Sequence, residues 1–98
     1  MNVISTTRKS GIALTTTPAI IWATNSSRVG IKIHADNANA ANLMIARVVA
    51  GTSAPTRPTD EISPGMTFNG DNSWNAGWDV YWWLQAGTGL GDAEELQN

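Results

Sequence analysis

Residues 77–85 read Gly-Trp-Asp-Val-Tyr-Trp-Trp-Leu-Gln, a strand-length run with large aromatic groups at both parities. In an extended chain successive side chains point to opposite sides. Trp78, Val80, Trp82 and Leu84 then share one face, and Asp79, Tyr81, Trp83 and Gln85 share the other. The first face suits a core. The second carries Tyr81 and Trp83, more aromatic surface than a small soluble monomer leaves wet, and so predicts a covered face, a subunit contact or a ligand platform. Contact, rather than chemistry, is what this segment advertises.

A chain of 98 residues holds one domain, which at this size buries roughly 60–70% of its unfolded surface. Hydrophobic residues make up 42% and charged residues only 14%, with nine glycines, a composition that fits a compact all-β fold. Six Lys and Arg against eight Asp and Glu leave a formal charge of −2, so neither a nucleic acid nor a membrane is expected as a partner. The absence of cysteine removes disulfides, thiolate metal sites and cysteine nucleophiles together. Residues 1–10 lack the charged start and apolar stretch of a signal peptide, and no apolar run approaches the roughly 20 residues of a membrane helix. A soluble product made in the cytoplasm is expected, and the Asn25-Ser26-Ser27 sequon carries little weight in that setting.

Residues 1–10 are mostly polar, end in Arg8-Lys9-Ser10 and show no sustained period. They predict an N-terminal arm ordered against a partner, or a frayed terminus, ahead of a single domain over residues 11–98. Short strands follow at 12–16 and 19–23. The clearest alternation comes next, with Val29, Ile31 and Ile33 on one face and Arg28, Lys32 and His34 near or on the polar one. Leu43 to Val49 reads as a further strand with Arg47 facing out; the rival is a helix capped by Asn37 and stopped by Gly51. Residues 51–64, with Pro55, Pro58 and Pro64, predict an extended surface loop. Asn69-Gly70 is a favoured hairpin centre, pairing residues 66–68 with the aromatic return that begins at Ser73. Residues 92–98 remain open between a last strand and an acidic tail. The whole predicts a single small antiparallel β-sandwich or barrel-like domain with an extended arm.

Candidates for catalysis are few. His34 is the single histidine, on a polar face without a Gly-x-Ser-x-Gly elbow, and reads as a solvated or interfacial side chain. Asp60-Glu61 and Glu94-Glu95 are adjacent acids whose side chains diverge in an extended chain, and they read as solvated carboxylates. Asp36 and Asp71 fit turns better than a calcium loop. No enzyme activity, cofactor or metal is expected. The tryptophans admit two uses. Trp22, Trp78 and Trp82 fill the sandwich while Trp74, Tyr81 or Trp83 are buried between subunits; alternatively Trp74, Trp78 and Trp83 stack on sugar rings with Asn72, Asn75 or Asp79 binding hydroxyls.

Taken in order, Thr17-Pro18-Ala19-Ile20-Ile21, then Asn25-Ser26-Ser27-Arg28-Val29-Gly30-Ile31-Lys32-Ile33, then Ile62-Ser63-Pro64-Gly65, then Val80-Tyr81-Trp82-Trp83 and Ala86-Gly87-Thr88-Gly89, resembles small β-sandwich structural proteins of tailed bacteriophages. The likeness of order runs over residues 12–98, while the proline-rich loop, the five tryptophans and the polar arm depart from it. The resemblance implies a virion surface component: a capsid decoration or cement protein, often trimeric, or a module of a fibre. The expectation is a homotrimer on the outer capsid surface that clamps neighbouring major capsid subunits and stabilises the shell by binding only its assembled form. Arg8 and Lys9 of the arm, with Trp74, Tyr81 and Trp83, are the expected capsid or subunit contacts. The alternative is a host-receptor or glycan-binding module of a tail or fibre, using Trp74, Trp78, Trp83, Asn75 and Asp79.

Overall fold

The alternation around Ile31 and Ile33 is realised in strand β3 (Arg28–Ala35), whose Ile31, Ile33 and Ala35 are buried to 1% exposure or less. The computed structural model describes residues 5–70, 74 and 77–98. Eight strands appear there: β1 (Ser5–Leu14), β2 (Ala19–Trp22), β3, β4 (Leu43–Val49), β5 (Asp60–Ile62), β6 (Thr67–Gly70), β7 (Trp78–Leu84) and β8 (Gly89–Gln97). They form two four-stranded sheets, β1-β8-β3-β6 and β2-β7-β4-β5, every pair antiparallel. The fold is a β-sandwich. Ile31, Ile33, Leu43, Ile45, Val80 and Leu84 are its most deeply buried side chains and belong to one core cluster.

The strand reading of residues 43–49 holds, and the helical rival does not. Leu43 and Ile45 enter the core while Met44 and Ala46 pack on the opposite side, so β4 is buried at both parities between β7 and β5. Period two is then invisible in its hydrophobicity, as in other strands covered on both faces.

Residues 92–97 belong to β8, a central strand of its sheet rather than a tail. Its inward residues are Gly91, Ala93 and Glu95, two small residues and a charge, which hides the pattern from a hydrophobicity reading. A Cβ at Gly91 would lie 2.7 Å from a ring atom of Trp82 and 2.9 Å from Leu14, so the close approach of β8 to the core requires glycine here.

Residues 5–10 of the expected arm are the first part of β1 and pair with β8 from Ser5 opposite Gln97 to Lys9 opposite Ala93. Residues 1–4 lie outside the described residues. Thr-rich polar sequence reads as loose chain, yet Thr suits an edge strand whose neighbour supplies the ladder.

The hairpin expected at Asn69-Gly70 is not formed: β6 pairs with β3, whereas β7 pairs with β2 and β4 in the other sheet. Phe68 points inward and meets Trp74 edge to face at 5.0 Å, and a Cβ at Gly70 would clash with Ile31 and Trp74. Burial of this aromatic pair between the sheets overrides the local turn preference. Within residues 51–64 the chain also forms the three-residue β5, outermost in its sheet, where flanking prolines cost no ladder bonds.

Candidate functional site

Alternation on β7 is as expected, with Val80, Trp82 and Leu84 in the core at 2% exposure or less. On its other side Trp83 joins Met44 and Ala46 in a second apolar cluster, with Tyr81 packed against it. All three cluster members are buried within the single chain, so the chain itself covers the Trp83 part of this face, while Tyr81 is half-buried. Trp83 therefore offers little surface to a sugar or a subunit. Trp74 offers none of the expected contact either: it is 5% exposed inside the main core, against Phe68.

Trp78 is half-buried, and its ring lies 5.1 Å from the guanidinium carbon of Arg47, which sits 5.1 Å from the Trp74 ring as well. Arg47, expected to face out, is thus a half-buried cation held between two indoles. Asn72 and Asn75 lie outside the described residues. Asp79 is spent internally, accepting from the Thr24 amide (2.9 Å), the Thr24 hydroxyl (3.1 Å) and the Gly51 amide (3.1 Å). The Gly51 amide, the Thr24 amide and hydroxyl and the nearby Arg28 charge hold its carboxyl below the usual carboxylate range, against the opposing effect of burial. The proposed sugar platform of Trp74, Trp78, Trp83 and Asp79 is not brought together as a surface.

Arg8 and Lys9 part company on β1. Arg8 is exposed and pairs with Glu94 at 3.1 Å. Lys9 turns between the sheets, donating to the Ile21 carbonyl at 2.7 Å with its ammonium 4.7 Å from the Trp22 ring centroid. Trp22 Nε1 is the one buried side-chain polar atom without a partner among the described residues.

Sequence reasoning missed the polar centre of the molecule. Arg28 was expected near the polar face with Lys32 and His34, yet it is 2% exposed. A register shift between Arg28 and Gly30 in the β3–β8 pair breaks the alternation there. Its Nε donates to Glu95 at 2.8 Å, and its terminal nitrogens donate to the carbonyls of Ala23, Trp74 and Trp78. Glu95, read as solvated, is 5% exposed and also accepts from Asn25 and Gln97. The sequon asparagine is thereby engaged through its side-chain nitrogen, the atom a glycan would need. Asn39 is a second hidden lock: its amide exchanges two 2.9 Å hydrogen bonds with the Leu90 backbone, as a strand neighbour would.

His34 faces a shallow groove of about 230 Å³ on the outer side of the β1-β8-β3-β6 sheet, with Arg8, Lys32, Thr67, Asp92 and Glu94 around it. Its Nδ1 lies 3.0 Å from the Thr67 hydroxyl, and Asp92 is its register partner on β8. Hydroxyl, imidazole and carboxylate thus follow one another across three strands. Asp92, however, accepts the Gly11 amide at 2.7 Å, and no His34–Asp92 hydrogen bond forms among the described residues, so the row lacks the orienting bond of a nucleophilic triad. Among the described residues no three His, Cys, Asp or Glu side chains cluster as metal ligands, and no helix is long and apolar enough to cross a membrane. Compared with known proteins, the chain matches no family model, no curated sequence and no solved structure.

Proposed function

We propose that this chain is a non-enzymatic structural protein of a phage virion, a decoration or cement protein bound to the outer surface of the head across neighbouring major capsid subunits. The observation that carries the reading is where the reactive groups go. Arg28, Glu95, Asp79 and Asn39 are bonded inside the chain, and Trp22, Trp74, Trp82 and Trp83 are buried in it, which leaves a weakly charged β-sandwich that presents strands and loops. Such a module stabilises an assembly by binding the assembled form alone, through mass action. Within it, exposed Arg8 and the pair Ile20 and half-buried Tyr81, opposite each other on β2 and β7, supply contact, Ile20 being 47% exposed.

The glycan-binding alternative gains no support from the placement of its tryptophans. The deciding measurement is immunogold labelling of intact virions with antibody to this chain. Label distributed over the head is the expected result; label confined to tail or fibres, or none, overturns the reading.

A further inference from the structure

Four strands lie outermost in the two sheets, and three of them are poor templates for another chain. Strand β2 has four residues and a register shift between Ile20 and Trp22, β5 has three residues, and β6 has four. Short and irregular edges of this kind resist pairing. Strand β1 differs. It runs ten residues at the edge of its sheet, and from Ser5 to Lys9 it follows β8 without interruption; the shift between Lys9 and Ile12, where Gly11 takes φ 60°, ends that regular stretch. Ser5, Thr6, Thr7 and Arg8 are exposed.

Charge usually guards such an edge, and here it is drawn aside. The Arg8 guanidinium leans toward Glu94 at 3.1 Å while staying 70% exposed, and the Lys9 ammonium is held between the sheets by the Ile21 carbonyl and the Trp22 ring. Ser5 and Thr7 hydroxyls both donate to the Gln97 side chain, back toward β8. What remains on the outer side is a straight, polar, Thr-rich backbone edge.

We propose that this edge pairs with the same edge of a second copy, β1 against β1 antiparallel about a two-fold axis, joining two four-stranded sheets into one of eight. The proposal stands on the strand edge and does not depend on the virion reading. Register follows from geometry. Residues directly opposite in an antiparallel pair point to the same side of the sheet, so a two-fold axis must pass midway between a residue and its own copy. With Thr7 on the axis all five residues pair: Thr7 with itself, Thr6 with Arg8, Ser5 with Lys9. No cation then faces a cation, and Thr–Thr is a favourable cross-strand pair. An axis through Arg8 would set the two arginines opposite each other, and one through Thr6 would leave both Arg8 and Lys9 without a partner in the regular stretch. The pairing is isologous and closes at two copies, unlike the three-fold ring that the phage resemblance implies.

The test is the mass of the full chain in solution by sedimentation equilibrium, from micromolar to about millimolar, the range in which a small interface associates. The expected result is a rise from the 10.4 kDa of one chain toward twice that value. Thr6→Lys sets Lys opposite Arg8 twice per dimer and should weaken association roughly tenfold or more. Its unfolding midpoint checks that the fold is kept. The chain has no cysteine, and opposite residues in an antiparallel ladder stand about 4.5–5.5 Å apart at Cα, within disulfide reach. Thr7→Cys should therefore oxidise to a covalent dimer faster than Thr59→Cys, an exposed control on the other sheet's edge. A monomer mass at every concentration, a trimer mass, or equal oxidation of the two variants overturns the proposal.

Discussion

Glu94 and Glu95 are neighbours on β8, yet each meets a different arginine in a different medium. Glu94 points outward and pairs with Arg8 at 3.1 Å, the two side chains 31% and 70% exposed. Glu95 points inward and pairs with Arg28 at 2.8 Å, the side chains 6% and 0% exposed. Strand alternation alone separates them. The outer pair gives up little hydration and is screened by salt. Removing the inner pair from water costs several kcal/mol per ion, and further hydrogen bonds to both partners offset that cost. Asn25 and Gln97 complete Glu95, while carbonyls of Ala23, Trp74 and Trp78 complete Arg28. Those carbonyls lie where the chain leaves β2 and enters β7, so an arginine rooted in one sheet fastens the end of the other. The difference teaches that the same ion pair is decoration on one face and structure on the next.

The strongest way to break that contrast is Arg28→Met. It strands Glu95 as a buried charge and removes the donors of three carbonyls, and it should cost about 3–5 kcal/mol in denaturant unfolding. A double-mutant cycle sharpens it: Glu95→Leu should cost clearly less in the Arg28→Met background than alone, because the charge it removes is already unpaired. Equal cost in both backgrounds would show that the two residues act independently.

Asp79→Asn asks whether backbone amides can stand in for an opposite charge. The native Asp79 carboxyl titrates below its ordinary value, mainly through the Gly51 amide, so its stabilising effect is fully present above the unfolded value of about 4 and fades as pH falls through the folded one. Wild type and variant should therefore differ in urea midpoint near pH 7 and converge below about pH 4. A gap that stays constant down to pH 2 would contradict this assignment.

The sandwich was legible because β3 and β7 carry strong period-two patterns around Ile31, Ile33, Val80 and Trp82. What stayed hidden has a common physical cause. Local pattern reading assumes that polar means outside, and β8 turns Glu95 inward with Gly91 and Ala93 beside it. A bulge re-aims Arg28, and a buried Phe68–Trp74 contact carries the chain from one sheet to the other where Asn-Gly invites a hairpin. These choices are made by partners distant in sequence, such as the 67-residue separation of Arg28 and Glu95. Of the candidate contacts, Arg8 was legible as surface, whereas Trp74, Trp83 and Asp79 look like ligand groups in sequence and serve as packing and hydrogen-bonding groups in the structure. Five tryptophans in 98 residues signal large buried area, and only the fold decides whether a subunit, a ligand or the chain itself does the burying.

The smallest expected effect closes the comparison from the other side. Arg8→Ala removes a pair in which both charges keep water, so the loss should be at most about 1 kcal/mol, or nothing measurable. Whatever loss appears should vanish in about 1 M salt, where the screening length falls to roughly 3 Å, comparable to the contact itself. The buried pair should hold its value under the same salt, since no ions enter between Arg28 and Glu95. Urea unfolding of both variants at low and high salt reads the two together. If Arg8→Ala cost as much as Arg28→Met, or if salt erased both effects alike, burial would not be what divides these two pairs, and the contrast between the faces of β8 would fail.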